Sequence, residues 1–319
     1  MLSNLKFVQG AVSTKDYIPE LKHFTIVGGN VTGFNGVVAL NSPVDFDIDC
    51  APKAAPLVKA IDGCTETVSL KLTDANRLRV QSGPFKVFVD CVDLEEVPRQ
   101  APEGEELDVD GEALMEAIPK LKPFIGNDAS RPWSNGIMLK GHSAFATNNV
   151  CLVEHWLGAA IPRVLNIPLQ AITEMLRIGE APSSVQASGN SITFHYTGGR
   201  WLRSQLYSTE WPELSKILDR ATGELQPVPP EFFEGLAMVK PFLEPDGLVH
   251  MRDGVMYTTA DDNLGASFNV PSVQTNGIYV HKMMTLLGPV ATKMDFDAYP
   301  KPLCFQGDKL RGVVLGRRP

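Results

Sequence analysis

One pattern of apolar and charged positions occurs three times along this chain. Residues 18–24, 118–124 and 236–242 each place apolar side chains at helical spacing, then a lysine, and then a phenylalanine two positions after that lysine. Apolar residues at this spacing predict helices. The copies lie about 100 residues apart, too long for a solenoid repeat and close to the size of a small domain. The pattern predicts three tandem copies of one domain, and the recurring lysine indicates that all three present one face to one long, negatively charged partner.

Each copy continues with short segments that alternate apolar and polar residues, which predicts strands. The predicted strands are residues 37–40, 44–48, 137–139, 151–153, 256–258 and 266–270. A second predicted helix follows in each copy, at residues 56–61, 169–177 and 280–287. Further strands turn at residues 75–78, 189–192 and 307–310, where Asn, Asp and Gly supply the conformations that tight hairpins need. This order predicts an α+β fold, with helix pairs on one face of antiparallel sheets.

Two acidic, proline-bearing stretches separate the copies, at residues 95–106 and 219–230. Charge together with Pro and Gly favours an exposed connection over packed structure. The predicted domains are therefore residues 1–100, 107–219 and 227–319.

Composition narrows the classes of function. Lys and Arg number 29 against 37 Asp and Glu, so the net charge is −8, which argues against general adhesion to nucleic acid or to an anionic membrane. No apolar run approaches the roughly 18 residues of a spanning helix, and the first residues lack the layout of a signal peptide. Five scattered cysteines without a C-x-x-C pair predict free thiols and a cytoplasmic location.

No catalytic arrangement stands out. Residues 28–33 have the glycine spacing of a phosphate-binding loop but lack the Lys-Ser/Thr that must follow, so a hairpin turn is the better interpretation. The six histidines have no spacing suited to a metal. Asp261 with Asp262, and Asp295 with Asp297, are candidates for a divalent ion or for a hydrolase site, with solvated turns or strand ends as the alternative. We expect no enzyme activity, no cofactor and no metal.

Three motifs lie in the middle copy: residues 131–139 (RPWSNGIML), residues 145–152 (FATNNVCL) and residues 204–214 (SQLYSTEWPEL). All three resemble segments of the bacterial DNA sliding clamps, the beta subunits of the DNA polymerase III holoenzyme. Residues 131–139 (RPWSNGIML) are similar to the clamp's Arg-aromatic strand that continues Asn-Gly-Met/Val-Leu. Residues 145–152 (FATNNVCL) resemble its Ala-Thr-Asp-Gly turn, and residues 204–214 (SQLYSTEWPEL) its closing aromatic-Pro-acidic segment. The resemblance covers the whole chain, whose domains are shorter than usual for the family. It identifies a divergent clamp of bacterial or phage origin.

The resemblance implies a homodimeric ring of six domains, with helices lining the hole and sheets outside. Such a ring is a processivity factor: it encircles duplex DNA and slides along it. The residues expected to face DNA are Lys15, Lys22, Lys53, Lys59, Lys120, Lys122, Arg131, Trp133, Arg177, Lys240, Lys282 and Lys293. A solvated helix face is the alternative for each lysine, and a packed loop aromatic is the alternative for Trp133.

The resemblance also implies a hydrophobic pocket for short peptides of the polymerase, the clamp loader and other replication or repair proteins. Its expected residues are Thr147, Leu152, Pro212, Lys216, Ile217, Val313 and Leu315. Plain interdomain core is the alternative for Ile217 and Val313. The family tail usually carries methionines, whereas this chain ends in residues 313–319 (VVLGRRP). Loss of these adaptable side chains predicts an altered partner preference.

Subunit contact is expected at an apolar edge strand of the first domain, through Phe85, Val87 and Val89, which would join the last domain of a second chain. Cover of this strand within its own domain is the alternative. A monomeric peptide-binding scaffold of the same fold, unable to encircle DNA, is the competing function.

Overall fold

In the computed structural model, which describes residues 1–15, 17–220 and 223–318, helices pack against antiparallel sheets. The α-helices are α1 (Leu2–Gln9), α2 (Ala54–Asp62), α3 (Gly111–Leu121), α4 (Leu169–Ile178), α5 (Ser215–Arg220), α6 (Pro230–Val239) and α7 (His281–Thr285). The first thirteen strands are β1 (Thr25–Val27), β2 (Asn30–Phe34), β3 (Val38–Pro43), β4 (Ala51–Pro52), β5 (Val68–Leu72), β6 (Arg77–Ser82), β7 (Phe85–Val92), β8 (Glu105–Leu107), β9 (Gly136–Thr147), β10 (Cys151–Pro168), β11 (Ser184–Ala187), β12 (Ser191–Tyr196) and β13 (Arg200–Gln205). The remaining strands are β14 (Gln226–Pro227), β15 (Leu248–Arg252), β16 (Val255–Tyr257), β17 (Ser267–Asn269), β18 (Gly277–Val280), β19 (Lys293–Met294), β20 (Leu303–Gly307) and β21 (Leu310–Val314).

The chain divides into two compact units, Met1–Met115 with Ile167–Tyr207, and Glu116–Asn166 with Ser208–Pro319. The first unit contains a sheet of order β1-β2-β3-β13-β12-β11-β8 and a sheet of order β4-β7-β6-β5. The second contains the orders β14-β19-β20-β21-β10-β9 and β17-β16-β15-β18. The α+β prediction is confirmed, whereas the three domain boundaries stay a prediction.

Helices lie in pairs against these sheets. In the first unit, α1 packs on α2 and on β2 and β3; in the second, α6 packs on α7 and on β16 and β17. The buried face of α2 consists of residues at helical spacing, among them Leu57, Val58 and Ile61. Gly235 lets α6 lie close to its sheet, because a Cβ atom there would stand 2.7 Å from the ring of Phe268.

The repeated segment differs between copies. In the second and third copies an α-helix runs into one 3₁₀ turn, Lys122–Phe124 and Lys240–Phe242. In the first copy only the 3₁₀ turn Pro19–Lys22 is present, so the helix predicted there is wrong, and the first helix is α1. The chain cannot stay helical after Lys22, because the next two residues extend toward β4, with the Phe24 amide donating to the Pro52 carbonyl at 2.9 Å.

Most other predicted elements are present, with one error. The second helices are α2, α4 and α7, and the hairpins turn at Asn76 and Lys309, both with positive φ. The strand predicted at residues 44–48 is absent from the described structure, since β3 ends at Pro43 and the acidic residues that follow have no partner strand. The alternation there comes from a solvated segment.

Part of one prediction lies outside the described residues: the linker at 219–230 includes Ala221 and Thr222. Among the described helices, none combines the length and apolar character required to cross a membrane. Groups of three or more Cys, His, Asp or Glu side chains able to hold a metal are also absent from the described residues.

Candidate functional site

An apolar groove with a cavity volume of about 250 Å³ opens in the second unit. It collects side chains from four separate stretches of sequence. Its lining is Arg131, Trp133, Thr147, Asn149, Val150, Cys151, Leu152, Pro212, Leu214, Ile217, Val313 and Leu315. Six of the seven residues expected in a peptide pocket are therefore brought together, and Lys216 is the exception.

The floor of the groove is formed by adjacent strands. Leu152 of β10 pairs with Val313 of β21, and the two side chains are 5% and 3% exposed. Both pack in a core cluster with Met138 and Phe145. Val313 is thus a core residue, as the alternative interpretation had it, and the same side chain also lines the groove.

The walls of the groove are open to solvent. Ile217 of α5 is 41% exposed and Leu315, just after β21, is 46% exposed. The Leu315 amide donates to the Val150 carbonyl at 2.9 Å, which fixes the end of β21 beside the β9–β10 turn. Apolar walls above a buried apolar floor create a site that gains free energy when an apolar side chain covers it.

The tight turn between β9 and β10 positions one end of the groove. The Thr147 hydroxyl donates to the Cys151 carbonyl at 2.7 Å, and the Asn148 side-chain oxygen accepts from the amides of Val150 and Cys151 at 3.1 and 2.7 Å. Asn149 has φ of 68°, a conformation that Asn tolerates better than most residues. Burial raises the pKa of the Cys151 thiol to about 12, so this thiol stays neutral near pH 7.

Arg131 and Trp133, which we expected to face DNA, line this groove. Arg131 caps a 3₁₀ turn, Pro132–Ser134, that contains Trp133, and Trp133 packs edge-on against Trp211 with 5.3 Å between ring centroids. Trp133 is therefore a packed aromatic. Arg131 is exposed and is the one charged residue in the lining given above.

Lys216 lies on the exposed side of α5 and forms an ion pair with Glu213. The sequence comparison missed Asn149, Val150, Cys151 and Leu214, although all four lie in segments that resemble the clamps. Their positions in the sequence could have revealed them, because they lie between residues that we did predict. A turn that places Thr147 and Leu152 in the groove also places the residues between them there.

The cations expected at DNA fall into three groups. The first group is exposed on helices: Lys59 on α2, Arg177 on α4 and Lys282 on α7. Arg177 is tied to its own unit, because it pairs with Glu174 at 2.6 Å and donates to the Phe7 carbonyl at 2.7 Å. Lys6, which was not among the expected residues, is also exposed on a helix, α1, and pairs with Asp62 of α2 at 2.7 Å.

The second group holds the repeated lysines. Lys22 and Lys122 are half-buried and Lys240 is exposed, each in its 3₁₀ turn. Lys120, two residues before Lys122, belongs to an ion-pair cluster: its ammonium lies 2.9 Å from Glu116 and 3.7 Å from Asp308.

The third group lies outside the helices. Lys15 is exposed in the segment between α1 and the first 3₁₀ turn, and Lys53 is exposed at the N-terminus of α2. Lys293 lies on β19, in the sheet of the second unit. Lys293 therefore lies on a strand and not on one of the helices that the resemblance places around the hole.

The edge strand β7 is open along most of its length. It pairs with β6 on one side, and on the other side β4 covers its last two residues, Cys91 and Val92. Phe85 and Phe88 are 40% and 47% exposed. Val89 is 1% exposed, so its side chain belongs to the core and cannot contact a partner as we expected. Val87 is half-buried.

The acidic pairs are engaged locally. Asp261 accepts from the Asn263 amide at 2.9 Å, and Asp262 forms an ion pair with Arg252. Asp295 accepts from the Asp297 amide at 3.2 Å. The Asp261 and Asp295 contacts are those of turns, and the Asp262 contact is an ion pair.

No protein-family model matches the sequence, and no curated protein matches it. The structure matches solved proteins over its whole length. The DNA polymerase sliding clamp of Caulobacter crescentus superposes with a TM-score of 0.86 at 18% identity, and that of Bacillus subtilis with 0.85 at 14%; each match covers 100% of this chain and 97% of the other. The fold is that of the bacterial sliding clamps. The Helicobacter pylori beta clamp, solved bound to a DNA ligase peptide, shares the sliding-clamp fold with a TM-score of 0.81 at 14% identity and the same coverage.

Proposed function

We propose that this protein is a processivity factor for a DNA polymerase. Two copies form a closed ring around duplex DNA, slide along it, and tether the polymerase, the clamp loader and other replication or repair proteins through the apolar groove. The protein itself performs no catalysis. The observation that carries this proposal is the convergence of Thr147, Leu152, Pro212, Ile217, Val313 and Leu315 on one groove within a sliding-clamp fold.

The groove suits a short extended peptide with apolar anchors. A cavity of about 250 Å³ holds one or two large side chains, and its buried floor is already ordered before binding. Apolar anchors in a preformed pocket supply most of the affinity of such peptides. Arg131 at the rim adds a single positive charge, which favours peptides with a carboxylate beside the anchors.

Two apolar surfaces support the ring. The open edge of β7 exposes Phe85 and Phe88 in the first unit. In the second unit Phe242 is 61% exposed, whereas its counterparts in the repeat, Phe24 and Phe124, are 0% exposed. The third copy thus exposes a phenylalanine that the first two copies bury. Met238, one helical turn before Phe242, is 60% exposed as well. We assign the apolar surface formed by Phe242 and Met238 to contact with the partner's β7.

A ring reconciles an acidic protein with DNA. Twelve helices about 9 Å apart give a circumference of roughly 110 Å and hence a diameter of about 35 Å between helix axes. Subtracting one helix thickness of about 10 Å from that diameter leaves a hole of roughly 25 Å. A closed ring of that size is retained by topology, so a few cations suffice, and each extra phosphate contact would slow sliding. The repeated lysines Lys22, Lys122 and Lys240 are our first choice for the DNA-facing surface.

Light scattering over a dilution series, followed by retention on DNA, tests the proposal. We expect a mass near twice 34.8 kDa, that is 69.6 kDa. Loaded rings should be lost from linear DNA and retained on circular DNA. Charge reversal of Lys22, Lys122 and Lys240 together should shorten retention on linear DNA, because rings that slide faster reach the ends sooner, without changing the mass.

One observation favours the competing function, a monomeric scaffold. The groove is complete within a single chain, so peptide binding does not need a second copy. A stable monomer of 34.8 kDa that binds groove peptides and shows no difference between linear and circular DNA would establish the scaffold and reject the ring.

A further inference from the structure

Two of the five cysteines meet where β4 joins β7. The register places Pro52 opposite Cys91 and Ala51 opposite Val92. Because strand side chains alternate between faces, Cys50, two residues before Pro52, lies on the same face as Cys91. The Cys50 thiol donates to the Ile48 carbonyl at 3.8 Å and the Cys91 thiol to the Val89 carbonyl at 3.7 Å, and each thiol shifts the pKa of the other, as neighbouring sulfurs do.

The remaining cysteines are arranged differently. Cys64 donates to the Ala60 carbonyl of its own helix at 3.2 Å. Cys151 on β10 and Cys304 on β20 lie on opposite sides of β21, so about 9 to 10 Å separates their strands. That spacing is too wide for a disulfide.

Cys50 and Cys91 differ in their accessibility to solvent, and we therefore give them different roles. Cys50 is 3% exposed and Cys91 is half-buried, so only Cys91 is open to a reagent. The neighbouring Cys50 thiol lowers the pKa of the Cys91 thiol, although burial and Asp90 oppose that effect. The neighbouring Cys91 thiol, together with burial, raises the pKa of the Cys50 thiol. Because Cys91 is the accessible thiol, it is the nucleophile of the pair, and the direction of its pKa shift agrees with that role.

We propose that Cys50 and Cys91 form a reversible disulfide site that is oxidised by hydrogen peroxide or another small hydroperoxide. The Cys91 sulfur attacks one peroxide oxygen, the O–O bond breaks, and the released hydroxide leaves as water, giving a sulfenic acid on Cys91. The Cys50 sulfur then attacks the Cys91 sulfur, the S–O bond breaks, and the Cys50 proton leaves with the hydroxide as a second water. Two thiols become one disulfide while one peroxide becomes two waters, and an external dithiol reverses the change.

The bridge would connect the two sheets of the first unit. The Cys50 amide and carbonyl pair with Ile26 of β1 at 3.0 and 2.9 Å, while β4 pairs with the end of β7. A covalent bond from Cys50 to Cys91 therefore ties β7 to the segment that also holds β1. It leaves the open edge of β7, which ends at Asp90, unobstructed.

The test treats the isolated full-length chain with hydrogen peroxide, without DNA or peptide, so its outcome is independent of the proposed function. We expect the free-thiol count to fall from five to three, the intact mass to fall by two hydrogens, and peptide mapping to show a Cys50–Cys91 bridge that dithiothreitol reverses. Hydrogen exchange should slow at residues 50–53 and 88–92 in the oxidised chain.

Cys91→Ser, at the half-buried position, should abolish the bridge, while Cys64→Ser, the matched control, should leave it unchanged. The wild-type peptide map keeps the test valid if a variant folds poorly. A count that stays at five, a bridge between other cysteines, or sulfinic acid on Cys91 without a bridge would each overturn the proposal.

Discussion

The groove and the edge of β7 both leave apolar side chains at the surface, but they are built in opposite ways. The groove is concave and draws its lining from four stretches of sequence, with Leu152 and Val313 as an ordered floor. The edge is a single strand that exposes Phe85 and Phe88 beside unpaired backbone groups. The groove can select a peptide by its side chains, whereas the edge can select only a strand, because its main recognition groups are amides and carbonyls.

The register shows which backbone groups of β7 are available. The Cys91 amide donates to the Asn76 carbonyl at 3.2 Å, so every second residue toward Phe85 also bonds to β6. The amides and carbonyls of Lys86, Phe88 and Asp90 consequently point to the open edge. The Asp90 carbonyl accepts from the Lys53 amide at 2.9 Å, which leaves Lys86 and Phe88 for a partner strand.

The largest effect is expected at the edge. Phe88→Asp places a charge where a partner strand would lie and should weaken the proposed dimer by about 3 kcal/mol or more, roughly 100-fold. Light scattering at micromolar concentration should then give the monomer mass. Because Phe88 is exposed, thermal stability of the isolated chain should change little.

The control for Phe88→Asp lies on the opposite edge of the same sheet. Ser69 of β5 is exposed, and Ser69→Asp should leave the proposed dimer intact. Equal dissociation of the two variants would show that charge on either edge acts through the sheet, and would remove β7 as the specific contact.

A smaller effect is expected in the groove. Leu315→Ala removes a wall but leaves the floor, and should weaken an apolar peptide by about 1 to 1.5 kcal/mol, close to tenfold. Titration of a fluorescent peptide measures this loss, and the mass should stay unchanged. Leu264→Ala is the matched control, since Leu264 is 60% exposed in the same unit and lies outside the groove lining. If both variants bind equally well, the groove is not the peptide site.

The difference between the groove and the edge of β7 also explains which of these features could be predicted from the sequence. The groove was predictable because it follows from short segments whose local structure is strong, such as the turn at residues 147–151 and the paired strands that carry Leu152 and Val313. Its rim was less predictable: Arg131 and Trp133 sit in it because one 3₁₀ turn folds beside Trp211, a contact between residues about 80 positions apart.

The edge and the cations were harder to predict. Alternation along β7 could not tell that Val89 faces inward and Phe88 outward, because the strand carries apolar residues on both faces. Spacing alone also failed to separate Lys282, exposed on a helix, from Lys293, which lies on a strand. Lysine positions carry little local structural information, since a solvated cation is compatible with any element.

The smallest expected effect is on thermal stability at acid pH, and it is expected in the second unit. In the unit that holds the groove, hydrogen bonds from Lys309 at 2.7 Å and Lys120 at 2.9 Å lower the pKa of Glu116 to about 2 from its ordinary 4.5. A lowered pKa in the folded state gives stability above about pH 4.5 that is lost as the pH falls toward 2. Glu116→Gln should therefore reduce the loss of thermal stability between pH 4.5 and 2.5.

Three of the four tryptophans (Trp133, Trp156 and Trp211) belong to the second unit, so thermal unfolding followed by tryptophan fluorescence reports mainly on that unit. Glu234→Gln, on the exposed face of α6, should retain the wild-type pH dependence, and a flattened curve there would assign the effect to net charge.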